Sequence, residues 1–201
     1  MGIPVLCMGA SGSGKTYSLK NFEPNEVSIF SVEKSRLPFQ KKLPLMPHAG
    51  YTEIERVLSG ELTKKAYVID DSQYLLVNES FDRAKENGFG KWTDIALHFR
   101  DLIHLINHKL PDDVVVYFLH HTEEVDGKIK AKTIGKLLDN QLTVEGCFDI
   151  VLLTQMFDGQ HCFITQSDGY TTAKSPEGMF DQRIPNDLKA VDVAIRNYYG
   201  L

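Results

Sequence analysis

Residues 3–16 read IPVLCMGASGSGKT, and the fold follows from this stretch. Ile3 to Met8 is a short apolar run, with the length and composition of a buried strand. Gly9-Ala10-Ser11-Gly12-Ser13-Gly14-Lys15-Thr16 then satisfies G-x-x-x-x-G-K-[ST] at every fixed position. Glycines let the backbone curl until several N–H groups point inward, forming a cradle for phosphate oxygens. A helix starting on this loop, expected to end near Asn21, turns the partial positive charge of its N-terminus to the same place. Lys15 adds a full charge suited to β- and γ-phosphates, and the Thr16 hydroxyl suits magnesium. Gly9, Ser11, Gly12, Ser13, Gly14, Lys15, Thr16 and Tyr17 are therefore the expected nucleotide-binding residues, for ATP with Mg2+. A strand, the loop and a helix in register argue against a chance glycine-serine turn.

Working outward, apolar strand-like runs alternate with helical patterns, as in an α/β fold with a mainly parallel sheet. Val27–Val32, Ala66–Ile69, Val114–Leu119 and Phe148–Leu153 read as strands. Asp158-Gly159 makes His161–Thr165 a hairpin partner of the last of these. Tyr51–Leu58 reads as a helix. So does 94–110, where Ile95, Phe99, Leu102, Ile103, Ile106 and Leu110 fall on one stripe, with Thr93 as N-cap and Pro111 beyond the end. A final helix spans Asp187–Tyr199, with Leu188, Val191, Ile195 and Tyr198 inward. The stretches 78–92 and 120–137 fit no element and read as functional loops.

The whole chain, 201 residues with 42% hydrophobic and 24% charged, suits one domain with a substantial core. Its net charge of −5 excludes a globally basic nucleic-acid binder, so any phosphate contact must come from a local patch. Cys7, Cys147 and Cys162 have no metal-like spacing and read as reduced thiols in a cytoplasmic protein. Neither a membrane span nor a signal peptide is expected.

A magnesium-side acid is needed at the end of a neighbouring strand, and Asp70 supplies it through water. Asp71 is either a second acid there or a cap for the segment after it. Hydrolysis needs a group to orient water. Glu33, just past the strand 27–32, is the candidate, a solvated loop glutamate beside Lys34 being the alternative. His120 and His121 end the strand 114–119, either as a γ-phosphate sensor or as a surface pair.

In this order the features resemble the RecA-like branch of P-loop ATPases. More closely, they look like the short, single-domain RecA-type ATPases encoded by bacteriophages, including the Sak-type single-strand annealing and recombination proteins. The likeness rests on the glycine loop, SIFSVEKSRL (28–37), YVIDDSQYLL (67–76), the helix 94–110, and VVVYFL (114–119) followed by His120-His121. It implies that Glu33 is the catalytic glutamate, Asp70 the magnesium-side acid and His121 the γ-phosphate sensor. It also places 122–137 as a DNA-binding loop and lets Lys174 reach a neighbouring subunit's nucleotide; a plain surface lysine is the alternative for Lys174. Histidine stands where RecA itself carries glutamine, and RecA's polymerisation segment and C-terminal domain have no counterpart, so filament formation and strand exchange are not implied.

Lys128, Lys130, Lys132 and Lys136 lie in that loop with no acid among them, the first three alternating so that an extended segment puts them on one side. Such a row can track a phosphate backbone, or it is a solvated face beside Glu123, Glu124 and Asp126. In the segment 87–92, Trp92 is expected to anchor the core and Phe89 is open between core and base stacking. The expected function is a single-stranded-DNA-dependent ATPase in phage recombination, annealing or replication. It would be homo-oligomeric, act in the host cytoplasm and partner a single-strand-binding protein. The alternatives are a nucleotide kinase, weakened by six unclustered arginines, and an ATP-gated adaptor or helicase loader.

Overall fold

The computed structural model describes residues 1–88, 90–134 and 143–201. Phe89 and Lys136 lie outside the described residues. A mostly parallel sheet is built from β1 (Ile3–Gly9), β2 (Val27–Ser31), β3 (Leu45–Pro47), β4 (Ala66–Asp70), β5 (Val115–Val125), β6 (Lys128–Ala131), β7 (Ile150–Phe157), β8 (Gln160–Ile164) and β9 (Arg183–Pro185). The order across it is β3-β2-β4-β5-β1-β7-β8-β9, with β6 pairing only with β5. The first six strands of that order are parallel; β8 and β9 are added antiparallel at one edge. The helices are α1 (Tyr51–Leu58), α2 (Gln73–Asp82), α3 (Gly90–Lys109) and α4 (Leu188–Tyr199).

The continuous apolar runs are explained by burial on both faces. In β1, Leu6 and Met8 enter a core shared with α1, α2 and α3, while Val5 and Cys7 enter a second core with Leu19, Phe22 and α4. In β5, Val116 and Phe118 face the first core and Val115, Tyr117 and Leu119 the second. Period-two alternation thus assigns a face to each residue at the strand ends, which decides where the site residues point.

The structure differs from the expectation at several places. The helix after the glycine loop is a 3-10 helix of six residues, Thr16–Asn21. Its end is tied from outside, where Asn21 Nδ2 donates to Asp187 (2.7 Å), and Lys189 donates to Glu26 (2.7 Å) in the turn that follows. α3 begins at Gly90, so Thr93 lies inside the helix and caps nothing. The stretch 78–92 is half helical, and Arg83 ties the end of α2 to the start of α3 through Glu79, Glu86 and Asp94. Trp92 is half-buried against the first core. The stretch 120–137 is no loop at its start. β5 runs on to Val125, turns at Asp126-Gly127 and returns as β6. Both turn residues have positive φ, 51° and 74°, the conformation that Asp-Gly favours in a two-residue hairpin. In α4, Leu188, Val191 and Ile195 are buried as expected, but Tyr198 is 46% exposed. Asp187 caps α4 by accepting from the N–H groups of Lys189 and Ala190. Among the described residues no helix is long and apolar enough to cross a membrane.

Candidate functional site

A cleft of roughly 390 Å³ opens at the C-terminal ends of β1, β4 and β5. That is where open parallel sheets bind ligands when the strand order reverses. Here it reverses around β1: the chain leaves β1 toward β2 and later crosses back to β7 on its other side. The floor is the loop 9–16. Gly14 and Gly12 sit at φ of 97° and 77°, conformations costly to any residue with a Cβ. Gly9 has no room for one, since Thr154 and Ser13 occupy the space.

Lys15 folds back into its own loop, donating to the carbonyls of Gly9 (2.7 Å) and Ala10 (2.9 Å). Burial pulls its pKa down to about 8, against the opposing pull of Asp71 and Asp70. Thr16 Oγ1 donates to the Asp70 carboxylate (2.9 Å to Oδ1) across 54 residues of sequence. Burial, reinforced by the charge of Asp71, raises the Asp70 pKa to about 6. A hydroxyl and a poorly solvated carboxylate form a hard oxygen pair. They fit magnesium, which takes one or two carboxylates and completes its shell with water and substrate phosphate. Among the described residues no group of three or more His, Cys, Asp or Glu side chains forms a protein-only cage.

Asp71 is buried and has φ of 61°, a strained value outside glycine. The strain turns its carboxylate into the cleft, where it meets Lys34 Nζ (2.7 Å) and His121 Nε2 (3.3 Å). Burial works to raise its pKa, but the hydrogen bonds from His121 and Lys34 outweigh burial and hold it below the ordinary carboxylate value. Asp71 thus belongs to the cleft wall and does not serve as the N-cap of α2, whose cap position is Ser72.

The two histidines part company because β5 alternates. His121 pairs in register with Gly9 and lines the cleft. His120 is fully buried on the opposite face against the Phe99 ring. His120 Nε2 lies 2.8 Å from the Lys132 carbonyl and must donate to it, so Nδ1 accepts from the Ser72 hydroxyl at 2.9 Å. Burial keeps this ring neutral, with a pKa of about 4. The Lys132 N–H in turn donates to the His121 carbonyl (2.8 Å). One residue of the β6 end is therefore bonded to both histidines.

Other expected residues lie elsewhere. Glu33 is exposed and accepts from Asn78 of α2 (2.7 Å). The strand stops at Ser31, whose hydroxyl accepts the Lys34 N–H, and the turn brings Lys34, not Glu33, into the cleft. Lys174 pairs its backbone with Val151 and is half-buried outside the cleft lining. Lys128 lies on β6 and Lys132 just past it, both exposed, while Lys130 faces Glu123 across the hairpin at 3.4 Å. The sequence reading passed over three polar cleft residues, Lys34, Arg36 and His161, and left Asp71 open between a second acid and a cap. His161 comes from β8 with no motif to announce it; the positive φ of Asp71 has no sequence signal beyond the Asp-Asp pair.

Compared with known protein families and with curated proteins, the chain matches no family model and no curated sequence.

Proposed function

We propose that this chain binds ATP with magnesium at the 9–16 loop and hydrolyses it in response to single-stranded DNA, as a RecA-like ATPase in phage recombination, annealing or replication. The observation that carries the reading is the Thr16–Asp70 hydrogen bond. It joins the end of the glycine loop to the end of a strand two positions away in the sheet, beside a lysine held ready within the loop. Bound magnesium would offset charge on the β- and γ-phosphates. The residues of the chain do the rest. Lys15 exchanges its two loop carbonyls for phosphate oxygens. Thr16 and Asp70 hold the cation. Asp71 orients the attacking water, taking the role expected of Glu33, because Asp71 faces the cleft and Glu33 does not. A carboxylate held at low pKa is a poor base but a sound acceptor for a water proton, and positioning is most of what this chemistry asks.

The hairpin β5–β6 is the candidate DNA element. The Lys130–Glu123 pair spans a partly exposed surface and is worth at most about 1 kcal/mol, so a phosphate can displace the glutamate. His121 touches Asp71 in the cleft, and its carbonyl holds the Lys132 N–H. A shift at the γ-phosphate end therefore reaches the lysines through a single residue. A homo-oligomer with Lys174 serving a neighbour, and a single-strand-binding partner, remain part of this proposal.

The experiment is ATP turnover with and without single-stranded DNA, with Lys15→Ala as the blank. Stimulation by DNA in the wild type and a flat baseline in the variant is the expected result. Turnover indifferent to DNA would leave the nucleotide site in place and remove the DNA role. Asp71→Asn is expected to slow turnover far more than Glu33→Gln; the reverse order would return the water-orienting role to Glu33.

A further inference from the structure

The 9–16 loop occupies only one end of the sheet. There Asn186 Nδ2 donates to the Gly14 carbonyl (2.9 Å), and His161 packs against the same glycine. β1 starts at the opposite end, at Ile3, and a second cavity of roughly 480 Å³ opens beside it. Residues 1–4, the last turns of α3 and the C-terminal end of α4 form its walls. Four of the lining residues carry side chains that ligate metals: His104, His108, Asp112 and Asp149. All four are exposed. Among the described residues their side chains make no hydrogen bond and no ion pair, and no lysine or arginine lines the cavity. Two carboxylates without a basic side chain beside them favour a cation over a phosphate.

The histidines are the more specific signal. His104 and His108 are four residues apart on α3, so they share one face. Their rings stand edge to face with centroids 5.4 Å apart. Two imidazoles on one tetrahedral zinc have ring centres about 5 Å apart, given a Zn–N bond of about 2 Å. The pair already stands at chelating distance.

We propose that this cavity seats a zinc-class divalent cation, chelated by His104 and His108, with a carboxylate of Asp112 or Asp149 and water completing the shell. Among the described residues no three His, Cys, Asp or Glu side chains already converge, so the carboxylate swings in when the ion binds. Both carboxylates are exposed and unbonded, and closing the shell breaks no existing interaction. Imidazole nitrogens suit zinc, nickel and copper, whereas magnesium prefers oxygen. This cavity and the Thr16–Asp70 pair therefore sort two kinds of cation to opposite ends of the sheet. The bound ion ties the last turn of α3 to the segment entering β5 or β7. It stabilises the fold, because the folded chain offers the ligands together and the unfolded chain does not.

The test titrates zinc chloride into the full chain, followed by calorimetry, with thermal unfolding as a second reading. A binding step at one zinc per chain and a rise in Tm are expected. His104→Ala with His108→Ala should lower zinc affinity at least tenfold and abolish the Tm rise. The metal-free Tm should stay within about 2 °C of the wild type, both positions being exposed. His108→Ala alone should show most of the loss and stands in if the double variant does not fold. Excess magnesium should leave the zinc affinity within about twofold. Asp112→Asn with Asp149→Asn should weaken zinc severalfold; unchanged affinity overturns the part given to the carboxylates. Absence of zinc binding in the wild type overturns the site. So does retention of the same step in the histidine variants, which would place the ion elsewhere, beginning with Asp71 and His121. Displacement of zinc by magnesium overturns the imidazole chelate. None of these results bears on nucleotide binding at the loop.

Discussion

Two hairpins in this molecule turn on the same dipeptide. Asp126-Gly127 joins β5 to β6 with φ of 51° and 74°, and Asp158-Gly159 joins β7 to β8 with φ of 48° and 74°. The turns are interchangeable, but their strands carry different groups. The first presents Lys128, Lys130 and Lys132, and its β6 end is bonded to both histidines of β5. The second exposes Met156 and Phe157, the latter under the Arg183 guanidinium at 3.7 Å, and sends His161 into the cleft. One hairpin reaches the cleft through His121, which touches Asp71; the other contributes His161 to the cleft lining. Turn chemistry fixes the geometry of a hairpin, whereas its role comes from the residues on the strands and from what their inner ends touch.

The largest expected effect cuts beneath both hairpins. Lys15→Ala should lower ATP turnover by about a hundredfold or more, the scale for losing one preorganised charge at a developing anion, measured as steady-state phosphate release. Next, replacing Lys128, Lys130 and Lys132 together with Ala should weaken single-stranded DNA binding at least tenfold. It should also flatten the salt dependence by about two in log–log slope, while Phe157→Ala leaves both unchanged. Equal losses from the two hairpins in a salt titration would erase the distinction between them.

A smaller effect separates them by pH. The first hairpin hangs on a buried neutral histidine. Burial, with His121 and Lys15 adding to it and the Lys132 carbonyl opposing, lowers the His120 pKa to about 4 from an ordinary 6.5. Between those values the unfolded chain binds the proton and the folded chain does not, so stability falls as pH drops from about 6.5 toward about 4. The loss is on the order of 3 kcal/mol. Thermal unfolding of His120→Gln across that range should show a flatter profile than the wild type; parallel profiles would move the acid sensitivity elsewhere. The smallest effect tests the likeness itself. Gly127→Ala and Gly159→Ala should each cost about 1 kcal/mol and differ little in thermal unfolding, because each forces a residue with a Cβ into a left-handed turn and neither glycine has a neighbour within 4 Å of that atom.

Much of the sheet was legible because its strands are buried on both faces and read as unbroken apolar runs. α1 was read to the residue, since Ile54 and Leu58 repeat at helical spacing. β6 was not legible: lysines occupy alternate positions and leave only Ile129 and Ala131 as apolar signal, so the Asp-Gly turn was read in one hairpin and missed in the other. β3 and β9 are three residues each, with Pro47 and Pro185 at their ends, and rest on pairing that no local pattern announces. The loop residues and the Thr16–Asp70 partnership follow from motif and strand position. Glu33 was expected at the site from its place after a strand, but one turn at Ser31 exchanges it for Lys34. His161 and Asn186 lay beyond reach for a plainer reason: nothing within a dozen residues of either connects them to a glycine near the other end of the chain.

The Asn186–Gly14 hydrogen bond spans 172 residues, which makes the site late in the life of the nascent chain. At ribosomal speeds of about 5–20 residues per second, the loop is synthesised roughly 9–34 s before its clasp. Until then the six-residue 3-10 helix behind the loop also lacks the Asp187 contact that ties down its end. A ribosome stalled short of α4 therefore holds a chain with its glycine loop complete and these contacts unmade.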